Sequence, residues 1–189
     1  MTNNKFEFSS VSCNFKQHIG NSIRGYADLH RMIVNISRFF LCSDGKYIDI
    51  GSSDGGLAKL VSSHTGCTDI ICYEKENTFH TNENYKNFTI LSDALSIDFS
   101  GISFITSVFT LQFIQKNKRL GILQSVYNAL EVGGGFVLAE KVVLGCELDL
   151  MFQDILLQDK RQFFTDTEIL DKNLMLQNTM KCLSLQEIK

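Results

Sequence analysis

The chain has 189 residues, and its 18 basic and 21 acidic side chains leave a formal net charge of −3. This length favours a single domain, and the slightly negative charge gives no indication of nucleic acid held by bulk charge. The 44% share of hydrophobic residues argues against a disordered chain.

The first ten residues are polar, and no apolar stretch approaches the roughly 18 residues that a membrane span needs. The sequence therefore predicts neither a secretory signal nor a membrane segment. Its six cysteines contain no Cys-x-x-Cys pair, and its four histidines have no metal-ligand spacing. We expect a cytoplasmic protein with reduced thiols and no structural zinc site.

The N-terminal quarter predicts one helix. Residues 1–25 carry few periodic signals and indicate a loosely organised lead-in. Apolar residues recur at helical spacing from Tyr26 to Cys42, and the turn residues at 43–45 then end the helix.

Short apolar runs alternate with helical segments from residue 46 onward. The runs that predict strands are Lys46–Ile50, Asp69–Tyr73, Phe88–Leu91, Ile102–Val108 and Phe136–Ala139. A helix is predicted over Lys116–Leu130, with an apolar stripe at Leu120, Leu123, Tyr127 and Leu130, and Gly133–Gly135 is expected to end it. The remainder is expected to be helical, with a capping box at Thr165–Glu168 opening the last helix.

This alternation indicates an α/β fold, a Rossmann-like doubly wound and mostly parallel sheet of about five strands with N-terminal and C-terminal helices. We expect one domain, 1–189, in three sections. An N-terminal helical cap covers 1–44, an α/β core covers 45–141 and C-terminal helices cover 142–189.

Three acids stand at the ends of three successive predicted strands. Asp49 closes the first strand ahead of a glycine-rich turn at Gly51–Gly56, Glu74 follows the second strand, and Asp93 follows the third. Ligands of such sheets bind at the carboxyl ends of strands, where an acid can accept from ribose hydroxyls. The pattern favours a nucleoside cofactor over an ordinary turn with solvated acids.

The same turn has two other interpretations. Gly51 to Gly55 spells G-x-S-x-G, the pattern of a hydrolase nucleophile elbow around Ser53, but no histidine follows His80 to act as the base. A dinucleotide-linked oxidoreductase would use the same fold, but the G-x-G-x-x-G fingerprint is absent.

The turn from Asp49 to Gly56 resembles the first motif of class I S-adenosylmethionine-dependent methyltransferases, with Ser53 at the middle glycine. The segment Leu130–Gly135 is similar to the turn before their fifth strand. A narrower resemblance, to the carboxy-S-adenosylmethionine synthase family of tRNA wobble-uridine modification, lies in Gly25–Leu29, Phe109–Phe113, Val137–Lys141 and the Ser-bearing first motif. It covers roughly residues 25 to 180.

The resemblance implies S-adenosyl-L-methionine, or S-adenosyl-L-homocysteine, as the cofactor. The residues matching the family's cofactor contacts are Tyr26, Asp49, Gly51, Ser52, Ser53, Gly55, Glu74, Lys75, Asp93, Ala94 and Val108. It also implies a closing antiparallel hairpin, for which no sequence follows Lys189.

Two departures bear on the reaction. Asn173 stands where the family has the arginine that binds a carboxylate of the carboxylated cofactor, and Val108 replaces an asparagine. Asparagine cannot replace a guanidinium charge, so methyl transfer to an unidentified acceptor is favoured. The alternatives are a carboxy-S-adenosylmethionine synthase-like enzyme and a non-catalytic module that binds S-adenosylmethionine or another protein.

No catalytic residue is assigned, although Tyr26, Gln112 and Glu140 are candidates near the methyl end of the cofactor. Each also has a structural interpretation, as a helix anchor or as a hydrogen-bonding group at a strand end. The resemblance further implies a homodimer through the C-terminal helices, whose apolar stripe is Leu148, Met151, Phe152, Ile155 and Leu156. A different protein partner remains an alternative.

Overall fold

The structure is a computed structural model that describes residues 15–94 and 99–188. The predictions for residues 1–14, including the first part of the lead-in and Cys13, lie outside the described residues. So do the part of the predicted core at 95–98 and the last residue, Lys189.

The described residues form helices and strands in alternation. In chain order they are α1 (Phe15–Ser22), α2 (Tyr26–Ser37), β1 (Lys46–Ile50), α3 (Gly56–Thr65), β2 (Asp69–Tyr73), β3 (Thr89–Leu91), β4 (Ile102–Val108), α4 (Lys116–Ala129), β5 (Leu130–Ala139), β6 (Val142–Val143), α5 (Leu148–Lys160), α6 (Asp166–Gln177), β7 (Leu183–Ser184) and α7 (Leu185–Ile188). Three short 3₁₀ turns lie at 77–79, 83–85 and 111–113.

The main sheet has the order β3-β2-β1-β4-β5, and every pairing in it is parallel. The predicted α/β class is confirmed, and β1, β2 and β4 have the predicted bounds. The chain reverses its direction of winding between β1 and β4. Their carboxyl ends therefore flank the crevice where ligands of such sheets bind.

Helices cover both faces of the sheet, so its strands are continuous apolar runs. On one face Tyr47, Cys72 and Phe104 pack with residues of α2 and α3. On the other face Ile48 and Ile105 pack with residues of α4. Successive strand residues point to opposite faces, and this alternation places neighbouring residues in two separate cores.

Helix α4 buries a different face from the predicted one. Leu120 and Tyr127 are about three-quarters exposed, whereas Ile122 and Val126 are buried against the sheet. Both sets of residues have helical spacing. Helix α4 covers the sheet with the face that carries Ile122, Val126 and the buried Arg119, so this set points inward.

The prediction that Gly133–Gly135 ends this helix is wrong. The helix ends at Ala129, and the glycines lie inside β5, whose pairing with β4 shifts register between Ile102 and Phe104. A Cβ atom at Gly135 would lie 2.8 Å from the ring of Phe40. The glycine therefore allows a close approach of an aromatic ring to a strand.

Both ends of the described chain differ from expectation. The lead-in contains helix α1, whose Phe15 is buried with its ring centroid 5.1 Å from that of Phe79. Helix α2 ends at Ser37, short of the predicted end at Cys42. The C-terminal part holds the small parallel pair β6–β7 in addition to helices, and the predicted capping box of Thr165 and Glu168 is confirmed.

Within the described part of the chain, no helix combines the length and the apolar character that crossing a membrane requires.

Candidate functional site

The carboxyl ends of β1 and β2 bring three carboxylates together. We call this group the acidic edge: Asp49 in β1, Asp54 in the turn after it, and Glu74 directly after β2. The backbone N–H groups of Gly51 and Ser52 donate to the Tyr73 carbonyl over 2.7 and 3.1 Å. These two bonds fold the turn across the end of β2, next to Glu74.

Gly51 allows this turn to lie directly against Thr110, in the loop after β4. Its φ is +73°, and an added Cβ would lie 2.1 Å from Thr110 Oγ1. The Thr110 hydroxyl donates to the Ile50 carbonyl over 3.0 Å. Glycine is thus required by both backbone conformation and space. Sequence reasoning missed Thr110, since its partner lies 60 residues earlier in the chain.

Tyr85 holds the turn from its other side. Its buried hydroxyl donates to the Ser53 carbonyl over 2.6 Å and lies 2.7 Å from Ser52 Oγ. Sequence reasoning also missed this residue. Tyr85 belongs to the polar stretch after β2, where no periodic pattern marks a buried aromatic ring.

Glu74 is buried, and the backbone holds its carboxylate in place. Oε2 accepts from the Ser53 N–H and Oε1 from the Glu76 N–H, both over 2.7 Å. Burial raises the pKa of Glu74, while the two N–H donors oppose the rise. Each oxygen retains a further lone pair for a ligand hydroxyl.

Asp49 is the most buried member of the acidic edge. Oδ1 accepts from the Thr106 hydroxyl over 2.7 Å, and Thr106 in turn meets the Tyr47 hydroxyl at 2.6 Å. Among the described residues, Oδ2 has no hydrogen-bond partner. Burial raises the pKa of Asp49 to about 7, and the charges of Glu74 and Asp54 add to the rise. A cationic donor at Oδ2 would therefore stabilise the ionised form.

Tyr26 opens helix α2 beside the acidic edge. Its ring centroid is 4.2 Å from that of His30 and 6.5 Å from that of Phe109. Burial raises the pKa of Tyr26, and the negative charges of Asp54 and Asp49 act in the same direction. The predicted tyrosine thus lies near the predicted acids, although these residues are far apart in sequence.

The remaining predicted cofactor residues have different surroundings. Asp93 and Lys75 are exposed after β3 and β2. Ala94 and Val108 are half-buried and pack against the two cores. Their assignment to a cofactor stays a prediction.

Gln112 and Glu140 lie at the ends of the neighbouring strands. The Glu140 carboxylate accepts from the backbone N–H groups of Thr110, Leu111 and Gln112 over 2.9, 2.7 and 3.3 Å. Burial raises the pKa of Glu140 despite these bonds. The Gln112 side chain donates to the Phe109 carbonyl over 3.2 Å, and its oxygen has no partner among the described residues. Glu140 therefore has a structural task, which is to hold the loop after β4.

The hydrolase interpretation finds no geometric support. Ser53 has a φ of 52°, and its hydroxyl is 3.5 Å from the Gly51 carbonyl. The Nε2 atom of His80 is hydrogen-bonded to the Glu74 carbonyl at 2.8 Å and not to Ser53. Within residues 15–94 and 99–188, no cluster of three or more His, Cys, Asp or Glu side chains could hold a metal.

Comparison with curated proteins identifies homologues along nearly the whole chain. The chain is 28% identical to the carboxy-S-adenosyl-L-methionine synthase of Staphylococcus epidermidis, over 97% of this chain and 84% of that protein. It is also 28% identical to the protein of the same name from Helicobacter hepaticus, over 97% of this chain and 83% of that protein. These homologues confirm the resemblance that the motifs indicate. No model of a known protein family matches the chain.

Solved structures agree on the fold. An S-adenosyl-L-methionine-dependent methyltransferase of Methanococcus maripaludis superposes with a TM-score of 0.59 and 17% identity, over 94% of this chain and 87% of that one. Phosphoethanolamine N-methyltransferase 2 of Haemonchus contortus, solved with S-adenosyl-L-methionine, gives 0.58 and 17%, over 90% and 41%. The fold of the chain is that of the S-adenosyl-L-methionine-dependent methyltransferases.

Proposed function

We propose that this homologue of the carboxy-S-adenosyl-L-methionine synthases binds S-adenosyl-L-methionine, or its product S-adenosyl-L-homocysteine, at the acidic edge and transfers a methyl group. The observation that carries the proposal is the pair of buried carboxylates at neighbouring strand ends. Glu74 is held by two backbone N–H groups, and Asp49 presents an oxygen without a partner among the described residues.

Each acid suits a different part of such a cofactor. The Glu74 carboxylate can accept from the two ribose hydroxyls, and Asp49 Oδ2 can accept from the ammonium group of the methionine portion. Asp93 and Ala94, after the next strand, are assigned to the adenine. The backbone from Gly51 to Gly55, with Ser52 and Ser53, is assigned to the close approach of the chain to the cofactor. Tyr26, Lys75 and Val108 are the remaining residues that we assign to the cofactor site.

The cofactor supplies a sulfonium methyl group that is already reactive when it is bound. The chain then has to align an acceptor with that group and exclude water. Tyr26 lies beside the acidic edge, and its ring centroid is 6.5 Å from that of Phe109, so the two rings suit this task. Gln112 is buried, and its side-chain oxygen has no hydrogen-bond partner among the described residues, so it is a polar group suited to orienting an acceptor.

A second candidate function is carboxy transfer, which the names of the homologues favour. Residue 173 of helix α6 argues for methyl transfer, because it is an exposed asparagine without the fixed charge that a carboxylate partner needs. Calorimetric titration with S-adenosyl-L-methionine and with its carboxylated form separates the two. We expect no preference for the carboxylated form, and a clear preference for it would establish the second function instead.

The proposed cofactor site is tested by calorimetry on Glu74→Gln, with Glu83→Gln as the control at an exposed carboxylate in the same polar stretch. Glu74→Gln should weaken cofactor binding by about 2 kcal/mol, because hydrogen bonds to a charged group are lost. Glu83→Gln should bind as the parent protein does. Binding of a nicotinamide dinucleotide with no binding of either adenosylated ligand would contradict the proposal.

The exposed apolar face of helix α5 supports a homodimer through the C-terminal helices. The residues of this face, all of which are 40% exposed or more, are Leu148, Met151, Phe152, Ile155 and Leu156. An apolar patch of this kind marks an interaction surface. Sedimentation should show a dimer that Phe152→Glu converts to a monomer, and a parent protein that is monomeric at high concentration would contradict the dimer.

We also propose that the chain is divided into a cap over 1–44, a core over 45–141 and a tail over 142–189. The exposed apolar face of α5 supports this division, because it makes the tail the section that contacts the second subunit. A cytoplasmic setting is also proposed. It is supported by the cysteines of the described residues, all of which are free thiols.

A further inference from the structure

The outward side of helix α2 carries a basic residue followed by an apolar residue twice, seven residues apart. We call this side the α2 face: Arg31, Met32, Arg38 and Phe39. Met32 is 52% exposed and Phe39 is 74% exposed, and the four residues line a shallow hollow of about 470 Å³. Arg38 keeps a helical backbone at the end of α2, with a φ of −63° and a ψ of −15°, so the second pair stays in line with the first.

The exposed apolar face of helix α5 is bordered by the same pattern with the opposite charge. An acid directly precedes an apolar residue at Glu147 and Leu148 and again, seven residues later, at Asp154 and Ile155. Glu147 has a helical backbone as well, with a φ of −57° and a ψ of −24°. Each helix therefore presents two pairs of a charged and an apolar residue, about 10.5 Å apart along its axis.

The two faces are not packed against each other within one chain. Arg24 and Asp159 form an ion pair at 3.3 Å, which joins the segment before α2 to the end of α5. The apolar residues of both faces are nevertheless 40% exposed or more. A second copy of the chain carries the matching surface for each face.

The charged groups of both faces are available for a partner. Arg31 pairs with Asp28 on its own helix, but both side chains are exposed, and such a pair contributes little stability. The guanidinium carbon of Arg38 lies 5.2 Å from the centroid of the Phe39 ring, next to its apolar neighbour. Within residues 15–94 and 99–188, none of the ion pairs includes Glu147 or Asp154.

The order of the residues determines the relative direction of two such helices. On both helices the charged residue comes one position before the apolar residue, so the charged row lies on the same side of the apolar row when each helix is viewed from its N-terminus. With the apolar rows in contact, the two charged rows then meet in an antiparallel pair and lie apart in a parallel pair. The antiparallel arrangement places Arg31 opposite Asp154. It places Arg38 opposite Glu147.

We propose that the α2 face of one subunit docks, in the antiparallel direction, on the exposed apolar face of α5 in a second copy of this chain. A two-fold axis makes this contact twice, because each subunit supplies both faces. The contact rests on the homodimer proposed above and names the surface that covers α5. It also connects the dimer to the helix that begins with Tyr26 of the proposed cofactor site.

Sedimentation of the full chain with one charge reversed tests this contact. Arg31→Glu reverses the α2 face and Asp154→Arg reverses the border of the α5 face. Each should weaken the dimer about tenfold, because repulsion replaces attraction at two contacts. The control, Lys59→Glu, makes the same change of charge as Arg31→Glu at an exposed lysine of α3 and should dimerise as the parent protein does.

An equimolar mixture of Arg31→Glu and Asp154→Arg should restore the dimer, because each α2 face then meets an α5 face of opposite charge. An unfolded variant could not be rescued in this way. A dimer of Arg31→Glu as stable as that of the parent would overturn the proposal, because α5 would then meet a different surface. Two variants that both weaken the dimer but do not restore it when mixed would also overturn it.

Calorimetric titration of the same proteins with S-adenosyl-L-methionine reports on the proposed cofactor site separately. Cofactor binding by a dimer that does not respond to either charge reversal would leave the proposed function standing and the contact overturned. A restored dimer in a chain that does not bind this cofactor would leave the contact standing and the proposed function contradicted. A parent chain that stays monomeric at high concentration would overturn the contact together with the homodimer.

Discussion

The acidic edge and the exposed apolar face of helix α5 are both candidate binding regions, but the chain holds their side chains differently. Glu74 receives two backbone N–H donors and Asp49 a threonine hydroxyl, so the fold itself provides partners for the acids. The apolar side chains of the α5 face are each 40% exposed or more: Leu148, Met151, Phe152, Ile155 and Leu156. The first region is organised within the single chain, whereas we propose that the second is covered by a second subunit.

The difference follows from where the two regions lie. The acidic edge is built on β1 and β2, the central part of a parallel sheet, where turn backbone is always close to the strand ends. Helix α5 lies outside this sheet, and none of its residues is buried. Substitutions in the two regions should accordingly differ in size and in their dependence on ligand.

The largest effect is expected at the turn of the acidic edge. Gly51→Ala places a Cβ 2.1 Å from Thr110 Oγ1 at a φ of +73°, and should cost at least about 4 kcal/mol in the free energy of unfolding by urea. Gly25→Ala is the matched control, because Gly25 has a φ of +76° and an added Cβ would have no atom of the described residues within 4 Å. It should cost only about 1 kcal/mol, from backbone strain. Equal losses of unfolding free energy in the two variants would mean that the Thr110 side chain moves to accommodate the added methyl group.

The second prediction concerns the pH dependence that Asp49 gives to stability. Its pKa is about 7 in the folded state and about 4 in the unfolded state, so the fold favours the neutral form. The free energy of unfolding should fall as pH rises from about 4 to about 7, by an amount on the order of 3 kcal/mol. Urea unfolding across this range should show a much flatter profile for Asp49→Asn. Asp69→Asn, at an exposed acid where β2 begins, should keep the profile of the parent.

A smaller effect is expected where the C-terminal tail is anchored. Arg119 is buried in α4, donates to the Ile114 carbonyl over 3.1 Å and the Lys181 carbonyl over 2.5 Å, and pairs with Glu187 at 3.2 Å. Arg119→Met should cost about 2 kcal/mol in unfolding free energy, because carbonyls lose charged donors. It should also increase hydrogen exchange at 181–187. Unchanged exchange there would show that the tail has another anchor.

The smallest effect is expected on the open face of α5. Met151 is 48% exposed, so Met151→Gln should change the unfolding free energy by no more than about 0.5 kcal/mol in dilute protein. At high protein concentration the variant should lose the extra stability that a dimer gives the parent. A large loss in dilute protein would place Met151 in the core of the single chain.

Local sequence was enough to predict the strands that carry the candidate site. The bounds of β1, β2 and β4 agree with their apolar runs, since a parallel strand covered on both faces is apolar throughout. Asp49 and Glu74 could be placed together because the carboxyl ends of such strands meet at one edge. The capping box at Thr165 is equally local, for it depends on residues within one turn of helix.

Contacts between distant segments decided the rest. Leu120 and Ile122 belong to two sets of apolar residues in α4, and both sets have helical spacing. Packing against the sheet determines that the set with Ile122 is buried. Tyr85 and Thr110 are 30 to 60 residues away in sequence from the backbone carbonyls to which they donate. No local sequence pattern therefore indicates that they support the glycine-rich turn. The sequence by itself determined that acids stand at the ends of these strands, because each strand can be located from its local apolar run. The tertiary structure determined which groups neutralise them, because hydrogen bonds and repulsion between charges depend on distance in space.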